Sequence, residues 1–139
     1  MRNLLFAAVL AATFAAAGCS SPSDSGAVPS LSGRYRVIAV FAINAKRAVG
    51  LTNAFKSSPG LEQRDIAWFV LGPNKITSNI KNVPDRTTLE KLHTTKGFQA
   101  VLIGKDGKLK ASQLGGLDIQ ALLDAIDQMP LQQQEMQQQ

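Results

Sequence analysis

The chain has 139 residues, a formal net charge of +5, 45% hydrophobic residues, one Cys and one His. A lone Cys and a lone His give no set of ligands with metal-site spacing, and nothing in the sequence implies a cofactor. Basic residues never run beyond Lys46-Arg47 and are not interleaved with aromatic ones, so the stripe needed for nucleic acid is missing; the excess charge reads as a solvated surface with weak attraction for anionic lipids or polymers.

Met1-Arg2-Asn3 carries one positive charge, and the apolar run Leu4–Ala17 follows, broken only by Thr13. That layout is a secretory signal, and its apolar run is shorter than the roughly 20 residues of a spanning helix. Ala15-Ala16-Ala17-Gly18-Cys19 then resembles the lipobox of bacterial lipoproteins, with Ala16 where Leu is usual. The resemblance implies cleavage after Gly18, so that residues 1–18 are removed and the sulfur of Cys19 carries lipid. The protein then stays on the membrane through acyl chains rather than a spanning helix. The alternative is a general secretory peptide cut after Ala17, leaving Cys19 an ordinary thiol. Ser20 as second mature residue implies, by the same resemblance, a periplasmic-side address in the outer rather than the inner membrane of a Gram-negative cell.

Residues 19–32, rich in Ser, Gly and Pro, read as the lipidated Cys and a flexible tether. Residues 33–131 are long enough for one domain with one modest core. Arg34–Ile43 is a strand candidate, continuously apolar from Val37 and therefore buried on both faces. Ala45–Lys56 reads as a helix with Ala48, Val49, Thr52 and Phe55 along one side, stopped by Ser57-Ser58-Pro59-Gly60. Ile66–Leu71 is a second buried strand that places Trp68 in the core, and Ile76–Ile80 is ambiguous, an edge segment at most. Asp85 is a cap for a helix through Lys96, with Gly97 as its left-handed end. Phe98–Gly104 is a third buried strand, Lys105-Asp106-Gly107 a tight turn and Leu109–Ser112 the returning strand. Asp118 caps a last helix with Ile119, Leu122, Leu123 and Ile126 on one face, and Pro130 ends it. Residues 132–139 are Gln-rich and read as a helix extension or frayed tail.

The order β-α-β-α-β-β-α, with two strand–helix–strand crossovers that favour parallel pairing, predicts an α/β fold: a thioredoxin-like three-layer sandwich. Several segments also resemble a family of uncharacterised bacterial domains, found as well in animal sushi-repeat and coiled-coil-domain-containing matrix proteins and described as peroxiredoxin-like. They are Val40-Phe41-Ala42, Leu61-Glu62-Gln63-Arg64-Asp65-Ile66, the stretch from Gly97 through Gly104-Lys105-Asp106-Gly107, and Ile126-Asp127-Gln128-Met129-Pro130 with Gln134-Glu135-Met136. That family has no established activity, so the resemblance implies a fold more than a function.

A thioredoxin-like redox enzyme carries its reactive Cys at the start of the first helix, where the helix end stabilises thiolate. This chain has Asn44-Ala45-Lys46-Arg47 there, and Phe98-Gln99 where that fold usually places a Pro. No Cys follows Cys19, so thiol–disulfide exchange by the domain is not expected. Lys46 and Arg47 are candidates for holding an anion at the helix start. Arg64, Asp65, Lys105 and Asp106 are candidate ligand anchors, or else a structural ion pair and turn chemistry. His93 reads as a half-exposed helix residue, and Asp124 with Asp127 as a solvated helix face. The leading expectation is a non-catalytic, membrane-anchored envelope module that binds a protein, peptide or polymer. The alternatives are an enzyme of unknown reaction type and a structural envelope lipoprotein.

Overall fold

The computed structural model of the chain describes residues 28–138, so the signal peptide, Cys19 and most of the tether lie outside the described residues. Over the described residues the architecture is mixed α/β, with one five-stranded sheet and four α-helices. In chain order the elements are β1 (Arg36–Phe41), α1 (Ala45–Lys56), a single 3₁₀ turn (Glu62–Arg64), β2 (Ile66–Leu71), β3 (Ile76–Ser78), α2 (Arg86–Glu90), β4 (Gln99–Ile103), β5 (Leu109–Leu114), α3 (Ile119–Asp127) and α4 (Pro130–Gln137).

The sheet order is β3-β2-β1-β4-β5. β1 and β2 run parallel in the register Arg36 to Ile66 through Phe41 to Leu71, as the α1 crossover requires. β4 runs antiparallel to β1, contrary to the parallel pairing expected of the second crossover. β3 closes one edge against β2 and β5 the other against β4, both antiparallel.

β1, β2 and β4 are buried at every residue because both faces are covered. Alternation along the strands divides the core in two. Ile38, Val40, Trp68, Val70, Ala100 and Leu102 pack with Phe55 of α1 and Leu122, Leu123 and Ile126 of α3. The phenyl of Phe55 stacks on the Trp68 indole at 4.9 Å, fixing α1 to the middle of β2. Val37, Ala39, Phe41, Phe69, Val101 and Ile103 form the other face, under Leu89, Leu92, Val28 and Leu31. The last two differ from the expected tether: among the described residues Val28 and Leu31, which precede Gly33, are buried on this face of the sheet.

Three further differences have local causes. α2 stops at Glu90 instead of Lys96: the Gln99 side chain accepts from the Thr94 amide at 2.8 Å and donates to the Thr94 hydroxyl at 3.0 Å, holding the chain out of helix, and three of residues 87–94 are Thr, a weak helix former. Val49 of α1 is exposed rather than on the buried side, which is formed by Thr52 and Phe55 with Ala48 and Leu51. Pro130 opens α4 as its first residue, where a missing N–H costs nothing, so the Gln-rich segment is helical.

Candidate functional site

A cluster of charged side chains gathers at the amino ends of β1 and β2. Arg36 is the first residue of β1 and only 1% exposed. Its Nη1 donates to the Arg64 carbonyl at 2.9 Å, and both Nη atoms reach Glu135 of α4 at 3.3 Å. Sequence reasoning passed over Arg36; the signal was an Arg beside a continuously apolar run, where a buried cation demands a partner.

Arg64 ends the 3₁₀ turn. It grips Asp127 of α3 through Nε at 2.7 Å and Nη2 at 2.9 Å, while Nη1 donates to the Gly60 carbonyl at 2.7 Å. A Cβ on Gly60 would lie 2.5 Å from that Nη1, so the close approach depends on glycine. The Asp127 bond holds the Arg64 guanidinium even more firmly protonated than usual, and the same bond keeps the Asp127 carboxyl below the ordinary Asp range. Asp65 follows with a left-handed backbone, φ 49°, which turns the chain into β2. Its carboxylate accepts from Lys105 at 2.9 Å. Lys105 also bonds Glu135, and that bond is the main reason the Glu135 carboxyl is held below its usual range, with Arg36 adding to it.

Asp106 is turn chemistry: its Oδ1 accepts from the Lys108 amide at 3.0 Å and its Oδ2 from Lys110 at 2.8 Å. Burial pushes its carboxyl up, but those bonds outweigh it and leave the group below the usual range. Gly107 completes the turn at φ 77°. The four expected residues Arg64, Asp65, Lys105 and Asp106 therefore meet at one end of the sheet. Arg36, Asp127 and Glu135 complete a set of ion pairs in which each of Arg36, Arg64, Lys105 and Lys110 has a carboxylate.

Lys46 and Arg47 lie at the other end, on the first turn of α1. Asn44 caps that turn, accepting from the Arg47 amide at 2.9 Å. The Arg47 guanidinium donates to the Gly115 carbonyl at 2.7 Å and lies 4.8 Å above the Phe98 ring, so it bridges α1 to the residue that precedes β4 and to the turn after β5. Lys46 is exposed. A cleft of about 460 Å³ opens near the carboxyl ends of β1 and β2, with Arg86, Glu90 and His93 on its wall. His93 lies beyond α2, stacks on Phe41 at 4.4 Å, and bonds the Gly97 carbonyl through Nε2 at 2.8 Å, which makes Nε2 the protonated nitrogen. Arg86 donates to the Gly72 carbonyl at 2.9 Å and pairs with Glu90.

Among the described residues no group of three or more His, Cys, Asp or Glu is placed to hold a metal ion, and no helix is long and apolar enough to cross a membrane. A protein-family model described as Domain of unknown function (DUF4174) matches residues 29–135. The chain belongs to the DUF4174 family. The DUF4174 match opens one residue after buried Val28 and closes on Glu135, so it takes in α4 as far as the carboxylate that joins Arg36 to Lys105. No curated protein and no solved structure matches the chain.

Proposed function

We propose that this DUF4174 chain is an envelope lipoprotein, anchored through Cys19, whose thioredoxin-like domain serves as a non-catalytic binding module. The strand order β2-β1-β4-β5, with β1 and β2 parallel and β4 and β5 each reversing, supports the thioredoxin-like reading; β3 is an addition at its edge. The peroxiredoxin likeness then concerns scaffold rather than chemistry.

The observation that carries the non-catalytic reading is the α1 start. A thiolate enzyme on this scaffold needs its nucleophile there. Asn44 caps the helix and Arg47 is committed to Gly115 and Phe98, and the chain's one Cys stands at position 19. An amide, a methyl group and two cations form neither a sulfenic acid nor a mixed disulfide. The charged cluster at the opposite end supports the same reading, since its groups are engaged with one another rather than directed at an open reaction site. The partner class that suits this reading is an envelope protein, peptide or polymer, and nucleic acid is not among them.

The test is an assay of the protein for peroxide reduction and for reduction of a protein disulfide. Activity indistinguishable from a heat-killed control is expected. Turnover that persists in Cys19→Ser would show that the fold carries out chemistry without a thiol and would end the reading.

A further inference from the structure

α4 is an unusual element to find docked. Its sequence Pro-Leu-Gln-Gln-Gln-Glu-Met-Gln offers one buried side chain, Gln132, which is polar. Its two large apolar residues face solvent, Leu131 at 45% and Met136 at 47% exposure. Eight residues with no buried apolar stripe make a helix that is marginal in water by itself. Glu135 is the one charged residue of α4, and among the described residues it makes the α4 side-chain bonds to the rest of the fold, to Arg36 and Lys105.

The surface beneath is built for such a carboxylate. Arg36 is 1% and Lys105 10% exposed, and they approach from different elements, β1 and the turn after β4. The fit of α4 over them is incomplete. Arg36 Nε and Gln132 Oε1, a donor and an acceptor, are both buried without a partner. A cavity of about 250 Å³ remains beside the helix, between Arg36, Lys105 and Lys110 on one side and Met129, Pro130 and Leu131 on the other. Unpaired buried groups and unfilled space both weaken the closed arrangement.

We propose that Arg36 and Lys105 form a binding seat for the carboxylate of an acidic peptide, and that α4 is a strap occupying this seat from within through Glu135. An acidic peptide from a partner takes the same seat by displacing α4. An acidic peptide is one member of the partner class proposed above, so this seat rests on the binding-module reading, while a failed exchange or peptide-binding result leaves the peroxide and disulfide assays unaffected.

Full-length protein and its E135Q variant are compared by hydrogen exchange and by binding of a labelled synthetic peptide with the sequence of residues 130–139. In E135Q, amides of residues 131–137 exchange at least tenfold faster than in wild type while those of β1 and β4 do not change. The peptide binds E135Q at least tenfold more tightly than wild type, and the same peptide with Gln for its Glu binds neither. Equal protection of α4 in the two proteins, or peptide binding that ignores its Glu, overturns the proposal. Should E135Q fail to fold, wild type answers alone. Glu135 faces Arg36 from β1 and Lys105 from the β4–β5 turn, with Asp65 beyond Lys105 and the Arg64–Asp127 pair beyond Arg36. Its folded-state pKa is lowered, so the docking it supplies is complete above the ordinary Glu range and is lost as pH falls through the lowered value. Loss of α4 protection before the sheet unfolds is expected; simultaneous unfolding of the whole domain contradicts the strap.

Discussion

Arg64 is either a ligand anchor or half of a structural ion pair, and a double-mutant cycle with Asp127 separates the two. The pair is bidentate at 2.7 and 2.9 Å, with exposures of 18% for Arg64 and 34% for Asp127. Exposed pairs contribute about 0.2–1 kcal/mol, and charged hydrogen bonds shielded from solvent contribute about 1.5–3 kcal/mol. Two-point geometry in a site this open places the coupling near the top of the exposed range, about 1 kcal/mol. Asp127→Asn should therefore cost about 1 kcal/mol. Arg64→Leu should cost about 2 kcal/mol, because it also removes the bond to the Gly60 carbonyl. The double variant should lose about 1 kcal/mol less than the sum of the singles. Urea unfolding of the four proteins measures this, with changes in midpoint at constant slope. The coupling also has a pH signature. The Asp127 pKa is lowered in the folded state, so its contribution is fully present above the ordinary Asp range and fades as pH falls through the lowered value. Additive costs at neutral pH, or a coupling that survives below that range, would refute the structural pairing and return Arg64 to the list of ligand anchors.

Two further substitutions test the core. Val101→Asp places a charge at a site 2% exposed in the middle of β4, costs several kcal/mol and should leave the domain unfolded by circular dichroism; a cooperative native-like melt would show that Val101 is not inside. Phe55→Ala removes a ring 1% exposed and stacked on Trp68, and should cost about 3–5 kcal/mol with a red shift of tryptophan fluorescence; a loss below about 1 kcal/mol would mean that α1 does not rest on β2.

The legible parts of the fold are those set by local pattern. The apolar runs of β1, β2 and β4 announce strands covered on both sides, and Asp118 announces the start of α3, where it accepts from the Ala121 amide. The end of α2 is not legible locally because it is set by Gln99, a residue on another element. The direction of β4 was hidden for the same kind of reason: a crossover sequence does not state which neighbour the strand will pair with. At the charged cluster, Arg64, Asp65 and Lys105 stood out by their positions beside strands and in a turn. Asp127 read as a solvated helix face because its partner lies 63 residues away. Glu135 was visible as part of a Gln-Glu-Met ending and silent about its purpose, because nothing in a Gln-rich segment signals that its one carboxylate will meet a buried Arg at the far end of the domain.

The proposed function places the domain on the membrane through lipid at Cys19. The most direct measurement is the intact mass of the protein purified from the membrane fraction of cells that make it. The predicted mass lacks residues 1–18 and carries diacylglycerol and an amide-linked acyl chain on Cys19, with Cys19→Ser recovered in the soluble fraction. A wild-type protein recovered soluble, with an unmodified Cys19 thiol, would contradict it.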